Sequence, residues 1–591
     1  MIRLSVDFQY QGQPVQGKIL VPETEEDLSV FFDWFASTEG RILACDTETT
    51  GLDVYSDTFK LRTIQIGMGL NAWVLPYHLL DDVSWLAERD LIFQNAAYDY
   101  NVLRKVTGLQ LDWGRIVDTK ILAHLVDSRP ASVGGTGHSL QELTAHYIDP
   151  ELASKVKGSM TEMAKGLKVK KDVVFKEISV WDETYLRYAG TDVILAYALY
   201  NILLPLVPQP SKGLIRREHE VARVCAEIEY NGMLLDVEYS TGLRDKYNAT
   251  ADYYEALAYV EYGLEKIASA REIASIAQEE GFSLTKLTNS GEYAMDEGVL
   301  KDLAERGFTL AEYVLAAKKY RKWSKTWVEK FLDSADSDNR CHANINPLQA
   351  RTGRMSITGI PAQTLPSGDW VVRRCFIPEP GYVMLSCDYQ TQELRVLAAL
   401  SGDPTMQDAF KHDKDLHQMT ADASGVERSV GKTVNFAYVY GSGPANIAET
   451  CSITVDKAKK VMKGFENSYP LVETYNRKLQ KEAQMKGYIV TPSGRVLDVD
   501  KDRPYSALNY MIQSTSRDIT CAALLRLDAA GYTKYIRLPI HDEMLFCVPE
   551  DEAEELAKTL SEIMACDFAG VHIGTDADVY GPSWGHGYMD K

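Results

Sequence analysis

Two stretches far apart in the chain constrain its fold most: YVMLSCDYQTQE at 382–393 and IRLPIHDEMLFCV at 536–548. In the first, Tyr382 to Leu385 form a continuous apolar run, the pattern of a strand covered on both faces. The run gives out at Asp388 and hands over to a helix beginning near Gln390. In the second, two apolar runs flank His541-Asp542-Glu543, which predicts a short β-hairpin. If these strands are neighbours, Asp388 and Asp542 face each other at the open end of one sheet. That arrangement suits two divalent cations clamping a phosphoryl group. Between them, RSVGKTVNFAYVYG sets Arg428, Lys432, Phe436 and Tyr440 at successive i, i+4 steps along one side of a helix that ends at Gly441. Two cations followed by two aromatics suit a triphosphate at one end and a base pair at the other.

The three segments resemble motifs A, B and C of the family A DNA polymerases, which include bacterial DNA polymerase I and many phage replicative enzymes. DYQTQELR at 388–395 resembles motif A, the Arg/Lys/Phe/Tyr-Gly stripe motif B, and HDE at 541–543 motif C. The resemblance implies that Asp388 and Asp542 hold two Mg²⁺ (or Mn²⁺), with Glu543 beside them. It implies nucleotide contacts from Arg428, Lys432, Phe436, Tyr440, His417, Glu393, Tyr389 and Gln390. Lys432 would neutralise and protonate the leaving pyrophosphate, and Arg428 would hold the terminal phosphate. Glu393 matches the gate against a ribose 2′-hydroxyl. Phe436 stands where some relatives have tyrosine, which implies discrimination against 3′-deoxy terminators.

Near the N-terminus, RILACDTETTGLD at 41–53 projects Asp46 and Glu48 from one face of a strand. QNAAYDYNVL starts a helix with Asn95 as N-cap and Asp99 in its first turn, and ETYLRYAGTDVILAY sets Tyr188 and Asp192 one turn apart. Four acids and a tyrosine from three elements resemble the motifs of the DEDD 3′–5′ exonucleases in their tyrosine variant. By that resemblance Asp46, Glu48, Asp99 and Asp192 hold two metal ions, Tyr188 orients the attacking water, and Leu52 and Asn95 meet the frayed primer end. The fold implied is multi-domain α/β and α: a ribonuclease H-like exonuclease domain over 1–207, then a right-hand polymerase domain over 208–591. Pro205, Pro208 and Pro210 mark the junction. Within the polymerase domain the thumb spans about 236–340, the palm about 341–402 and 481–591, and the fingers about 403–480.

Residues 240–335 read as almost wholly helical. Tyr313, Ala316, Tyr320, Trp323, Trp327 and Phe331 mark a buried stripe, and Lys322 and Lys325 belong to a cationic face placed as the family's thumb is, against the DNA backbone. ARTGRMS at 350–356 resembles an element that makes Arg354 a primer and minor-groove contact. Gln363, Asn509, Gln513 and His541 match further DNA-contacting positions, and Arg373 and Arg374 are candidates for the backbone. Thr364 and Tyr505 depart from the family pattern, where asparagine and arginine are usual.

A net charge of −21 is unusual for a nucleic-acid binder, but binding depends on where the cations sit. Nine scattered cysteines without a CxxC pair argue against a disulfide framework or zinc site and for a reducing compartment, the cytoplasm of a bacterial host. No window resembles a membrane span, and a monomer is expected. No segment precedes the exonuclease that would hold a 5′-nuclease domain, which points to a phage-type enzyme. The expected function is template-directed extension of a primer on primer-template DNA with dNTPs, with 3′–5′ proofreading, in replication of phage DNA. The alternatives are an exonuclease with a non-catalytic DNA-binding C-terminal region and a non-catalytic replisome scaffold.

Overall fold

The computed structural model describes residues 1–365 and 369–589. The chain forms two compact units, one from residues 1–231, 344–357 and 385–579, the other from 232–343, 358–384 and 580 onward.

The N-terminal part of the first unit is a seven-stranded mixed sheet in the order Ile2–Tyr10, Gln13–Val21, Asn71–Pro76, Leu61–Met68, Leu43–Thr49, Leu91–Phe93, Ile116–Asp118. Leu43–Thr49 pairs antiparallel with Leu61–Met68 and parallel with Leu91–Phe93. The parallel pairs need crossovers, which helices such as Ala96–Thr107 supply. This is the α/β layer expected of the exonuclease part. One face, from which Trp73 projects, is covered by Phe31 and Phe35, the other by Tyr185, Val193 and Ile194. The last three lie on helix Glu183–Leu206, which is long and apolar enough to cross a membrane. The expectation that no window resembles a span is therefore corrected: this helix is apolar because it is a core helix, most of its apolar stretch being buried.

The rest of this unit is built on a four-stranded sheet in the order Ile536–Ile540, Glu543–Pro549, Tyr382–Tyr389, Thr575–Gly581. The anticipated hairpin has Ile540 paired with Glu543, so His541 and Asp542 form its two-residue turn, with His541 at φ 55°. Six helices follow one another between Pro404 and Lys486. Helix Ser506–Ala529 is buried from Ser514 to Cys521, because it packs against helices Leu214–Asn231, Gln392–Ser401, Pro470–Lys486 and Ala553–Met564.

In the second unit, helix Val237–Tyr262 packs along Thr309–Trp323, and Ile273, Leu300, Leu303, Phe308 and Val314 form a core. Two expectations are corrected here. Residues 281–296 are not helical: Thr288 N–H donates to the Glu292 carbonyl (2.7 Å), and Gly291 has φ 82°, closing a turn. The buried face of Thr309–Trp323 runs through Leu310, Val314 and Ala317, while Tyr313, Ala316, Tyr320 and Trp323 are half-buried. Trp327 and Phe331 are fully covered, and Lys322 and Lys325 are exposed. Arg373 and Arg374 both have partners within the protein. Arg373 is buried, donates to the Asp369 carbonyl (2.6 Å) and stacks on Tyr588, and Arg374 pairs with Asp236 (2.9 Å). Gln363 also lies in this unit.

Candidate functional site

The strand ends meet as the apolar runs require. The Tyr389 N–H donates to the Asp542 carbonyl (3.0 Å), so residue 388 lies beside the hairpin turn. Ser386 and Asp388 share a face of their strand, and the Ser386 hydroxyl donates to Glu543 Oε1 (2.6 Å) on the adjacent strand, so Glu543 lies on that same face of the sheet. Asp388 and Asp542 are both solvent-exposed. The surrounding protein still withdraws water from the Asp542 carboxyl and raises its pKa, against the pull of His541 and Arg354.

Asp542 and His541 line a cleft of about 360 Å³ together with Arg354, Glu393, Phe436 and Tyr440. Glu393 is clasped from two sides: Arg354 pairs with Oε1, and the Tyr440 hydroxyl donates to Oε2 (2.8 Å). A second pocket of about 220 Å³ shares Thr391 with the first and is lined by Arg428, His417 and Gln390. The i, i+4 stripe therefore divides, aromatics to the larger cleft and Arg428 to the smaller pocket. Arg428 Nε pairs with Asp415 (2.6 Å), whose other oxygen accepts from the His417 and Gln418 N–H groups. His417 is buried, its Nδ1 accepts from Asn435 Nδ2 (2.9 Å), and burial lowers its pKa. Lys432 is exposed on the same helix.

Tyr389 is the member of the expected nucleotide set that the strand turns away. Its ring is buried and its hydroxyl donates to the Met564 carbonyl (2.8 Å), because alternation sends 388 out and 389 in. Gln390 Nε2 donates to Asp576 (2.7 Å). Gln513 Oε1 accepts from Thr352 (3.3 Å), and Asn509 Nδ2 is buried without a partner.

In the sheet of the N-terminal part, ligand oxygens of Asp46, Glu48 and Asp192 lie within 4.8 Å of one another. Burial comes first among the causes that push all three carboxyls upward, Asp192 to about 7. Asp46 and Glu48 are raised further by their carboxylate neighbours, and the Tyr188 hydroxyl holds Asp192 down. Asp192 Oδ1 is buried with no hydrogen-bond partner. An unsatisfied, mutually repelling, all-oxygen cluster fits a hard divalent cation. Asp99 lies next to the cluster rather than in it: Oδ1 accepts from the Thr47 N–H (2.9 Å) and hydroxyl (2.6 Å). Asn95 occupies the cap position with φ 71°, but its side chain does not cap. Asp118 takes that role, accepting from the Asn95 and Ala96 N–H groups (2.9 Å each), and Asn95 Oδ1 accepts from Lys120 (3.1 Å). Leu52 is 87% exposed near this site in sequence.

Models of DNA polymerase family A and of 3′–5′ exonuclease match residues 237–586 and 21–208. The chain is 49% identical to the DNA polymerase of Mycobacterium phage L5, covering 97% of this chain and 98% of that one. The chain belongs to DNA polymerase family A. This family A polymerase carries a 3′–5′ exonuclease domain. It is 47% identical to the DNA polymerase of Mycobacterium phage D29, again over 97% of this chain and 98% of the other. It is 26% identical to DNA polymerase I of Pseudomonas aeruginosa, over 91% of this chain and 63% of that protein. In fold it is similar to the POL domain of Pol1 from M. smegmatis, solved in complex with DNA primer-template and dNTP. The TM-score is 0.75 at 24% identity, over 94% of this chain and 98% of that one.

Several groups at the polymerase sites carried no expectation. Thr391 (φ 46°) forms the wall shared by the two pockets, and Ser516, Arg517 and Thr520 line the larger. The signal for Ser516 and Arg517 in the sequence is the hydrophilic run STSRD at 514–518, set between Met511-Ile512 and Ile519.

Proposed function

We propose that this enzyme extends a primer 3′ end on template DNA with dNTPs and excises misplaced ends, in replication of phage DNA within the cytoplasm of a bacterial host. The observation that carries the reading is the hydrogen bond joining Tyr389 to Asp542 beneath a cleft walled by Glu393, Phe436 and Tyr440. Asp388 and Asp542 would hold two Mg²⁺ there, and Asp46, Glu48 and Asp192 would hold metal at the exonuclease site, with Asp99 fixing the strand between them. When bound, the cations supply charge neutralisation at the phosphoryl group and acidify water or hydroxyl.

The chain's own groups do the rest. Arg428 and Lys432 offer positive charge to a triphosphate, and Lys432 is the proton donor to the departing pyrophosphate. Glu393, fixed by Arg354 and Tyr440, fills the space a 2′-hydroxyl would need. Phe436 packs against the sugar and base. Arg354, Asn509, Gln513 and His541 face the primer-template, and exposed Lys322 and Lys325 add sequence-independent phosphate contacts. At the other site Tyr188 orients the attacking water. Domain boundaries follow: exonuclease 1–207, polymerase 208–591.

Asp388→Ala and Asp542→Ala are expected to abolish extension while leaving single-strand excision near wild type. Asp46→Ala with Glu48→Ala should do the reverse. One primer-extension gel with Mg²⁺, with and without dNTPs, reads both activities, and extension surviving in Asp542→Ala would overturn the assignment.

A further inference from the structure

Helix Leu214–Asn231 runs between the exonuclease and polymerase parts of the first unit and buries two consecutive ionisable residues that engage different partners. Glu218 is 0% exposed. Its oxygens accept from Arg517 Nη1 and Nη2 (2.7 Å each) and from Arg495 Nη2 (2.5 Å). Asp518 Oδ1 accepts from the same two guanidiniums (3.1 and 3.0 Å), so two buried cations face two buried anions, and the partly exposed Arg217 Nη2 lies 3.9 Å from the same oxygen. Arg517 also lines the nucleotide cleft. One turn along, Gln392 Nε2 donates to the Ser516 carbonyl (3.2 Å) and the Thr520 hydroxyl (3.0 Å), tying that helix to the one bearing Glu393.

His219, equally buried, turns to the exonuclease. Its Nδ1–H donates to the Ile215 carbonyl (2.7 Å), which leaves Nε2 to accept the Asp118 N–H (2.7 Å). The Asp118 carboxylate caps the helix that carries Asp99, and Asp99 grips Thr47 between Asp46 and Glu48. A continuous set of buried hydrogen bonds thus leads from His219 to the strand of the exonuclease carboxylates.

Buried ion clusters contribute little net stability compared with apolar packing, and fixing register is their best-attested use. We propose that Glu218 and His219 are positioning residues, Glu218 for the polymerase cleft through Arg517 and His219 for the exonuclease carboxylates through Asp118. One helix thereby orients both sites. The inference rests on the two-site reading above, which Asp388→Ala and Asp46→Ala/Glu48→Ala test separately, so failure of one is distinguishable from failure of the other.

The test uses the full-length enzyme, with dNTP incorporation on a primer-template and excision of a single-stranded oligonucleotide both read as kcat and KM. Glu218→Gln leaves an uncompensated buried cation. It is expected to lower kcat/KM for dNTP roughly 10-fold and leave excision within about twofold of wild type. Glu218→Gln/Arg495→Met restores charge balance and should recover most of the loss. His219→Leu keeps volume but removes the acceptor, and should lower excision kcat roughly 10-fold without moving KM or dNTP incorporation. His219→Gln, whose amide oxygen accepts the Asp118 N–H, should recover it. The proposal is overturned if either single variant depresses both activities in parallel, if neither activity moves, or if the restoring variants fail to restore. Should Glu218→Gln not fold, the charge-balanced double variant must fold and incorporate dNTP, and its failure counts against the proposal.

Discussion

Glu48 shows how a single residue trades stability for chemistry. It is buried, and burial together with Asp46, Asp192 and Asp99 raises its pKa well above the ordinary carboxylate range. Without a cation these groups repel one another. Glu48→Gln is therefore expected to raise the melting temperature in chelator by the equivalent of about 1–2 kcal/mol while abolishing excision. Added Mg²⁺ should raise the wild-type melting temperature more than the variant's, because a ligand that binds only the folded state stabilises it. A variant that melts below wild type in chelator would refute this account. Phe436 gives a second prediction. It lines the cleft with its ring 5.7 Å from His417, and Phe436→Tyr adds a hydroxyl that can replace a missing sugar 3′-hydroxyl. Dideoxynucleotide use relative to dNTP should rise about tenfold or more, and an unchanged incorporation ratio would rule the effect out. The i, i+4 spacing was enough to put Arg428 and Phe436 on one helix. It could not reveal that Asp415 would draw Arg428 to a separate pocket, because that contact depends on a neighbouring helix.

At the scale of elements, Asp403 holds two helix starts at once. Fully buried, it accepts from the Thr405 and Met406 N–H groups (3.0 Å each) at the head of Pro404–Lys411, and from the Leu471 N–H (3.1 Å) at the head of Pro470–Lys486. A carboxylate at two positive helix ends is favourable, and its removal strands three helix N–H donors, that of Met406 buried. Asp403→Ala should cost roughly 2–4 kcal/mol, read as a lower denaturation midpoint and faster hydrogen exchange at those three amides. Protection unchanged at Leu471 would show that the second helix does not depend on it. Asp-Pro at 403–404 is a readable helix start, but the second client at 471 is not, since nothing local links them. Residues 281–296 went the other way. Their Ser-Gly turn signal at 290–291 lies in the sequence itself, and the chain turns there, with Gly291 at φ 82°.

For the whole molecule, Glu229 joins parts distant in the chain. On helix Leu214–Asn231 it accepts from Asn101 Nδ2 (3.0 Å) in the exonuclease part and from the Ile345 N–H (2.5 Å). Burial pushes its pKa up to about 8, against the pull of those hydrogen bonds and of Lys120. The folded state therefore keeps a proton that the unfolded chain gives up near its ordinary 4.5. The resulting stability is complete below that value and is lost as pH rises towards 8. The melting-temperature advantage of Glu229→Gln over wild type should grow from pH 5 to pH 8.5, reaching a few kcal/mol in equivalent terms, and a difference independent of pH would exclude the linkage. Residue order alone was enough for the strands, the stripe from Arg428 to Tyr440 and the acids that end each strand, because periodicity and side-chain type are local properties. Packing alone accounts for the end of strand Tyr382–Tyr389 meeting the hairpin turn at Asp542, for Tyr389 facing inward, for Asp99 serving Thr47, and for the pairing of charges around Glu218. Those outcomes depend on which distant surfaces exclude water from one another, and no stretch of chain carries that information by itself.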